Sequence, residues 1–246
     1  MIERLLALQR DGGRGVVLTV VEGKELGTKL LVLEGGETVG DGPAELAAHA
    51  DELIRGARNR MLELEGRKVF AEVYGPPPRL FVYGAVDTAE ALAGAANLLG
   101  WTTIVADARA KFATRERIPS ADELIVAWPE ETFAQVAPDH ATAIVILTHD
   151  DKFDLPALEL ALASDAFYIG LIGGRRNQEK KRERLRELGV DEAAIERISG
   201  PCGLDIGADA NPEVALSILA EAMAARNGRG GGPLSQSGQR IHVEVE

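Results

Sequence analysis

The scarcities in this sequence narrow its class before anything else does. It holds one cysteine, Cys202, so no disulfide can close within the chain. Nothing in it has the Cys/His spacing of a zinc site. The opening MIERLLALQRDGG lacks the basic-then-apolar layout of a secretory signal, and no apolar run approaches the ~20 residues that span a bilayer. A cytoplasmic protein is therefore expected. Positive charge is in deficit, with 27 Lys and Arg against 39 Asp and Glu. The resulting net charge of −12 repels nucleic acid and anionic membrane, and neither is expected as a partner. No internal repeat is present.

What is present can fill a core: 46% of 246 residues are apolar, enough for one large or two small domains without staples. The chain is organised around Leu80 to Asp107, LFVYGAVDTAEALAGAANLLGWTTIVAD. An apolar run meets Gly84, alanines and leucines then recur at helical spacing, and Gly100 precedes a second apolar run. This is the opening βαβ unit of a Rossmann-like domain. In the dinucleotide fingerprint G-x-G-x-x-G/A the three marked places hold Gly84, Val86 and Ala89. The turn and the helix packing survive, but a β-branched side chain and Asp87 stand where pyrophosphate would approach.

Around that unit the expected fold is α/β: a C-terminal Rossmann-like parallel sheet with helices on both faces, plus a small N-terminal α+β domain. Residues 1–74 form the small domain, with a helix over Met1–Arg10, strands over Gly15–Gly23 and Thr28–Gly36, a helix over Pro43–Asn59 and a strand over Lys68–Tyr74. The triple proline in 75–79 is a semi-rigid linker. Within 80–227, apolar strands over Glu123–Ala127, Ala143–Leu147 and Phe167–Ile172 alternate with helices over Leu155–Ala163 and Asn177–Leu188. A final helix runs to Asn227, with Asn211 as its cap, Pro212 in its first turn and Glu213 at its positive end. Residues 228–246 read as a flexible tail with an edge strand or disordered run over Arg240–Val245.

Ligands of open parallel sheets sit outside the carboxyl ends of the strands, which singles out four loops. After Asp107, at the place of a ribose-binding acid, Arg109, Lys111, Arg115 and Arg117 offer positive charge, unless the stretch is a solvated connection and Asp107 a local turn cap. Thr148, His149, Asp150 and Asp154 follow an apolar strand; an imidazole there can act as acid, base or ligand, or His149 is an exposed loop residue and the aspartates helix caps. Gly173-Gly174-Arg175-Arg176 joins exposed N–H groups to two fork-shaped donors, which suits a phosphate. Arg175 to Arg186 carries seven basic residues against two acidic ones, and beyond the first two arginines that excess reads as a solvated helix face. Gly200 to Ala208, with Gly203, Asp205 and Gly207, is a Gly-rich loop able to approach a ligand or to make a tight crossover. Cys202 within it is a buried small residue or a thiol, and the sequence does not lower its pKa.

Five ordered motifs carry a resemblance: VFAEVYGPPPRLFVYGA (69–85), DARAKFATRERIPSADELIV (107–126), ILTHDDKFDLPAL (146–158), YIGLIGGRRN (168–177) and GPCGLDIGADANPEVALSILAE (200–221). Together the chain resembles the XdhC/CoxI family, as a divergent short member. That family comprises accessory factors for molybdenum hydroxylases such as xanthine dehydrogenase and carbon monoxide dehydrogenase. Its members pair a small N-terminal domain with a Rossmann domain, bind the molybdenum cofactor and help its sulfuration and insertion into the apoenzyme. Two stretches depart from the family pattern. Where the family has S-G-G-C-L-E, this chain has Val39-Gly40-Asp41-Gly42-Pro43-Ala44-Glu45-Leu46, without a thiol. Where the family has G-A-G-H-V-G, it has Gly84-Ala85-Val86-Asp87-Thr88-Ala89.

The resemblance implies a cofactor-holding maturation chaperone more than a catalyst, serving a molybdenum hydroxylase apoenzyme. The molybdenum cofactor (molybdopterin) would lie against Arg115, Thr148, His149, Asp150, Gly173, Gly174, Arg175, Arg176, Gly203, Asp205 and Gly207, with its phosphate on the two Gly-rich turns. An NAD(P)-dependent oxidoreductase is the alternative, although no Tyr-x-x-x-Lys pair accompanies the altered turn; a ligand-free scaffold is a third. A homodimer is expected, because the small N-terminal module has little core of its own.

Overall fold

In a computed structural model, which describes residues 1–238, the chain divides into two compact units, residues 1–76 with residues 232–238, and residues 77–231. The strand considered for Arg240–Val245 lies outside the described residues. Among those residues, no helix is long and apolar enough to cross a membrane.

The first unit opens with α1 (Ile2–Arg10), followed by β1 (Gly15–Glu22), β2 (Lys29–Leu33) and β3 (Thr38–Gly40). A 3-10 turn over Ala44–His49 leads into α2 (Ala50–Gly56), and β4 (Arg60–Leu64) and β5 (Arg67–Tyr74) complete an antiparallel sheet of order β3-β2-β1-β5-β4. Apolar spacing alone predicts one helix over Pro43–Asn59. Instead the helix stops at Gly56, Ala57 adopts a left-handed φ of 47°, and β4 follows. Hydrogen bonding to β5 decides this, since Arg60–Leu64 pairs residue by residue with Arg67–Ala71. The core joins Val16, Leu18 and Val20 of β1 to Leu46, Leu53 and Ile54.

The second unit is the Rossmann-like one. It contains β6 (Arg79–Tyr83), α3 (Asp87–Leu98), β7 (Thr102–Ala106), β8 (Glu123–Ile125), α4 (Pro129–Val136), β9 (Thr142–Ile146), α5 (Asp151–Ala163), β10 (Tyr168–Leu171), α6 (Arg175–Glu187), α7 (Glu192–Ile195), β11 (Ile198–Ser199) and α8 (Asn211–Arg226). All strand pairs are parallel, in the order β11-β10-β9-β6-β7-β8. The chain starts at β6, winds outward through β7 and β8, then returns to β9 on the other side. The strand order therefore reverses between β6 and β9, which makes a crevice at their carboxyl ends.

Both faces are covered, which is why β9 reads as an unbroken apolar run: all five of its residues are buried. Leu80, Val82, Val105 and Val145 pack under α3 and α8, while Phe81, Tyr83, Ile104 and Ile144 pack under α4 and α5. On the second face Phe81 and Phe133 meet edge to face, with centroids 4.9 Å apart.

Three helix starts differ from the sequence expectation. Helix α5 begins four residues earlier than Leu155, because the Asp150 side chain accepts from the Lys152 N–H and caps it. Helix α6 starts at Arg175, two residues before the Asn177 start. Asn211 does not cap α8 but is its first helical residue. Its Oδ1 accepts from Thr88 Oγ1 at 2.8 Å, and the capping task falls to Glu213, whose carboxylate accepts from the Asp209 and Ala210 N–H groups. Sequence patterning also passes over β3, β4, α4, α7 and β11, mostly elements too short to establish a period.

Candidate functional site

Two glycine turns flank the crevice, and they differ in what occupies their N–H groups. At the first, between β6 and α3, Gly84 takes a φ of 118°. A Cβ there would lie 3.0 Å from the Leu147 carbonyl carbon and the Thr148 nitrogen, so the close approach of β9 demands glycine. The turn is closed by side chains. Asp107, 1% exposed at the end of β7, accepts from the Ala85 N–H at 3.0 Å and from the Arg109 N–H at 2.9 Å, and forms a fork with the Arg109 guanidinium. Burial pushes the Asp107 carboxyl up, but the Arg109 side chain and these N–H bonds outweigh it and hold the group below its ordinary range. Asp87 pairs with Arg117 at 3.0 Å. The place of a ribose-binding acid is thus filled by an internal arginine.

The second turn joins β10 to α6 and faces the loop after β9. His149 sits there at a φ of 61°, left-handed backbone that histidine visits more readily than most residues and that costs about 1 kcal/mol or more. Beneath it lies a buried polar chain: the Thr148 hydroxyl donates to Asp154, which is 0% exposed, and Asp154 accepts from the Lys181 ammonium. Gly173 closes on the same loop, since a Cβ on it would lie 3.8 Å from His149 Nδ1. The result is a cavity of about 550 Å³ lined by His149, Asp150, Asp151, Ile172, Asn177, Lys180 and Lys181.

At this turn the polar groups are open. Gly174 stands at the start of α6 without a side-chain cap, and the first turn of the helix carries no acidic residue. Arg175 and Arg176 are exposed and make no ion pair among the described residues. Gln178, 3% exposed, holds the turn from below by donating to the carbonyls of Leu171, Ile172 and Gly173 at 3.0, 3.2 and 3.3 Å.

The remaining sites named from the sequence are distributed as follows. His149 and Asp150 line the cavity with Gly173 beside them, but its α6 side is made by Asn177, Lys180 and Lys181; Gly174, Arg175 and Arg176 are exposed and do not line it. Thr148 lies underneath, its hydroxyl committed. Arg115 donates to the Ala121 carbonyl in the loop after β7 and does not line the cavity. Gly203, Asp205 and Gly207 lie after β11, one strand beyond β10, and the Gly203 N–H is taken by Glu221 at 2.8 Å. Cys202 is half-buried; burial, and then Glu221, push its thiol up to about 12, which makes it a poor thiolate.

Asn177, Lys180, Lys181 and the buried role of Asp154 are not among the residues that sequence patterning singles out. The signal is available for Lys181: Gln178, Lys181 and Leu185 are the buried residues of α6, spaced three and four apart, which is an inward stripe written partly in polar residues. No group of three or more His, Cys, Asp or Glu that could hold a metal ion occurs among the described residues. The side chains at this turn, an imidazole, an amide, two ammoniums and two guanidiniums, are hydrogen-bond donors suited to a polar or anionic ligand.

Comparison with known proteins follows the same outline. A family model described as the XdhC Rossmann domain matches residues 80–222. The chain is 33% identical to the uncharacterized protein YqeB of Escherichia coli, over 71% of this chain and 33% of that protein. It is 30% identical to a Bacillus subtilis protein named as a probable xanthine dehydrogenase subunit, over 64% and 46% of the two, and 29% identical to the molybdenum cofactor insertion chaperone PaoD of Escherichia coli, over 62% and 42%. It thus spans less than half the length of these relatives. A crystal structure described as a xanthine dehydrogenase from Bacillus halodurans shares the fold, with a TM-score of 0.69 at 22% identity, over 92% of this chain and 66% of that one. The match over residues 80–222 takes in both glycine turns and the crevice between them, and the chain belongs to the XdhC family.

Proposed function

We propose that this chain is a maturation factor for a molybdenum hydroxylase of the xanthine or carbon monoxide dehydrogenase type. It holds the molybdenum cofactor at the carboxyl ends of β9 and β10 and helps its sulfuration or insertion into the apoenzyme. A cytoplasmic homodimer is part of the same reading. The observation that carries it is the contrast between the turns: Asp107 and Arg109 take up the groups that would receive a dinucleotide, whereas His149 and Asp150 line an open cavity next to the Gly173-Gly174-Arg175-Arg176 turn, whose two arginines are exposed. The relatives named as a xanthine dehydrogenase subunit and a cofactor insertion chaperone support the same assignment.

In this reading the molybdenum cofactor supplies the redox metal that the hydroxylase uses, and the chain supplies binding and orientation. Arg175 and Arg176 draw in the phosphate with charge-assisted hydrogen bonds, and His149 and Asp150 face the pterin's polar edge. The test is to purify the protein from a host that makes the cofactor and measure released pterin fluorescence. Wild type should carry pterin, and Arg175→Ala with Arg176→Ala should lose most of it, each arginine being worth roughly 1.5 to 3 kcal/mol. Lysine at both positions should restore part, because a point charge keeps the attraction and loses the fork. Absence of pterin from wild type sinks the cofactor reading. Micromolar binding of NAD or NADP in calorimetry would favour an oxidoreductase instead.

A further inference from the structure

Arg109 is held at the closed turn in the way a small ligand is held. Its Nε donates to Asp107 Oδ1 and its Nη2 to Asp107 Oδ2, each at 2.8 Å, so the guanidinium meets the carboxylate side-on through two parallel hydrogen bonds. The guanidinium carbon lies 4.3 Å from the Phe112 ring centroid and 5.5 Å from that of Phe153. A flat cation is thus set against two aromatic rings and a carboxylate that is 1% exposed. The Arg109 side chain is itself 29% exposed and stands on the loop after β7, so a path to solvent is open to it.

The frame does not depend on the guanidinium alone. Asp107 also accepts from two backbone donors, the Arg109 N–H at 2.9 Å and the Ala85 N–H at 3.0 Å. Ala85 leads into α3, whose positive end favours a carboxylate, and Lys111 lies 5.2 Å from the Phe112 centroid and keeps positive charge on the loop. What this frame receives is a flat group with two parallel N–H donors. The Nε–Cζ–Nη2 unit has a close chemical equivalent in the 2-amino-4-oxopyrimidine edge, where a ring N–H and an exocyclic amino group share one carbon. Guanine and pterins carry that edge, and hypoxanthine lacks the amino group. Hydrogen bonds along a base edge combined with stacking on aromatic side chains are a general mode of ring recognition.

We infer that Asp107, Phe112 and Phe153 form a site for a flat ring with a 2-amino-4-oxopyrimidine edge, and that Arg109 occupies it in the free protein as a tethered stand-in. The site uses none of the residues lining the cavity beside His149, and it goes beyond the function proposed above without resting on it. An entering ring displaces an arginine whose tether gives it a high effective concentration. Wild type should therefore bind such rings weakly, and removing the guanidinium should strengthen binding.

The experiment titrates the full chain, wild type and Arg109→Ala, with guanosine, inosine and 6-hydroxymethylpterin in a calorimeter. Arg109→Ala should bind guanosine or the pterin at least about tenfold more tightly than wild type does, and about tenfold more tightly than it binds inosine, which lacks one donor of the pair. Comparing guanosine with the pterin names the source of the ring; preference for the pterin would move the ring assigned above from His149 to this turn. Because the variant also deprives a buried carboxylate of a partner, its folding is followed by melting. Methylguanidinium at about 10 mM should raise the melting temperature of Arg109→Ala by about 2 to 5 °C and leave wild type unchanged, while methylammonium, a point charge without the fork, should do neither. Equal affinity for guanosine and inosine, no gain over wild type with either ring, or a variant stabilised no better by methylguanidinium than by methylammonium each overturn the inference.

Discussion

The β6–α3 and β10–α6 turns are built alike, each running from a parallel strand through a positive-φ glycine into a helix, yet they differ in what meets the helix N-terminus. At Gly84 the protein supplies its own occupant: Asp107 takes the Ala85 N–H, Arg109 takes Asp107, and Arg117 takes Asp87. At Gly173 the protein supplies a frame and leaves the donors open, with Gln178 and Asp154 working from beneath. Topology alone therefore does not locate a ligand on this fold. The commitments of neighbouring side chains do.

The largest effect should come from the frame of the open turn. Lys181→Met strands the Asp154 carboxylate in an interior where it is 0% exposed, and breaking such a pair costs about 3 to 5 kcal/mol. Chemical denaturation measures it; a loss below about 1 kcal/mol would mean that the pair is not part of the frame.

Next, the two turns should answer differently to one methyl group. Gly84→Ala combines left-handed strain with a clash against β9 backbone and should lose about 3 kcal/mol, whereas Gly174→Ala, at a φ of −70° with open space around it, should stay within about 1 kcal/mol. Similar losses in thermal or urea unfolding would erase the contrast.

A somewhat smaller effect is expected for Asp107→Asn, roughly 2 kcal/mol at neutral pH from the lost charged hydrogen bonds. The folded carboxyl lies below its ordinary value of 3.8, so its contribution is present above that value and is lost as pH falls through and below it. The stability gap between wild type and Asp107→Asn should accordingly narrow from pH 7 towards pH 3. A gap constant over that range would remove the ion pair from the closure of the turn.

The smallest stability change belongs to Arg175→Ala with Arg176→Ala, within about 0.5 kcal/mol each, since both side chains are exposed and unpaired among the described residues. A drop of several degrees in melting temperature would show them to be structural instead of reserved for a ligand.

Much of this is legible from residue order. Continuous apolar strands alternating with helical spacing specify a parallel sheet covered on both faces, because a strand buried on both sides has no solvent face to mark with polar residues. Gly84 and Gly173 mark two turns, and the strand-end rule places His149 at a crevice. Asn211 departs from its expected role for a physical reason: its type and place beside Pro212 suit a cap, but Thr88, far away in the sequence, is in reach of its side chain, and Glu213 is in reach of the vacated cap. The basic run of α6 is similarly ambiguous until packing turns Lys181 inward onto Asp154 while Lys180 stays outside.

The sequence by itself therefore determined the longer strands and helices, the layering and the two glycine turns, since these follow from periodicity and backbone preference over a few residues. Only the tertiary structure decided which turn is closed and which is open. That depends on pairs such as Asp107 with Ala85 and Asp154 with Lys181, 22 and 27 residues apart, which meet because the sheet sets their strands and helices side by side.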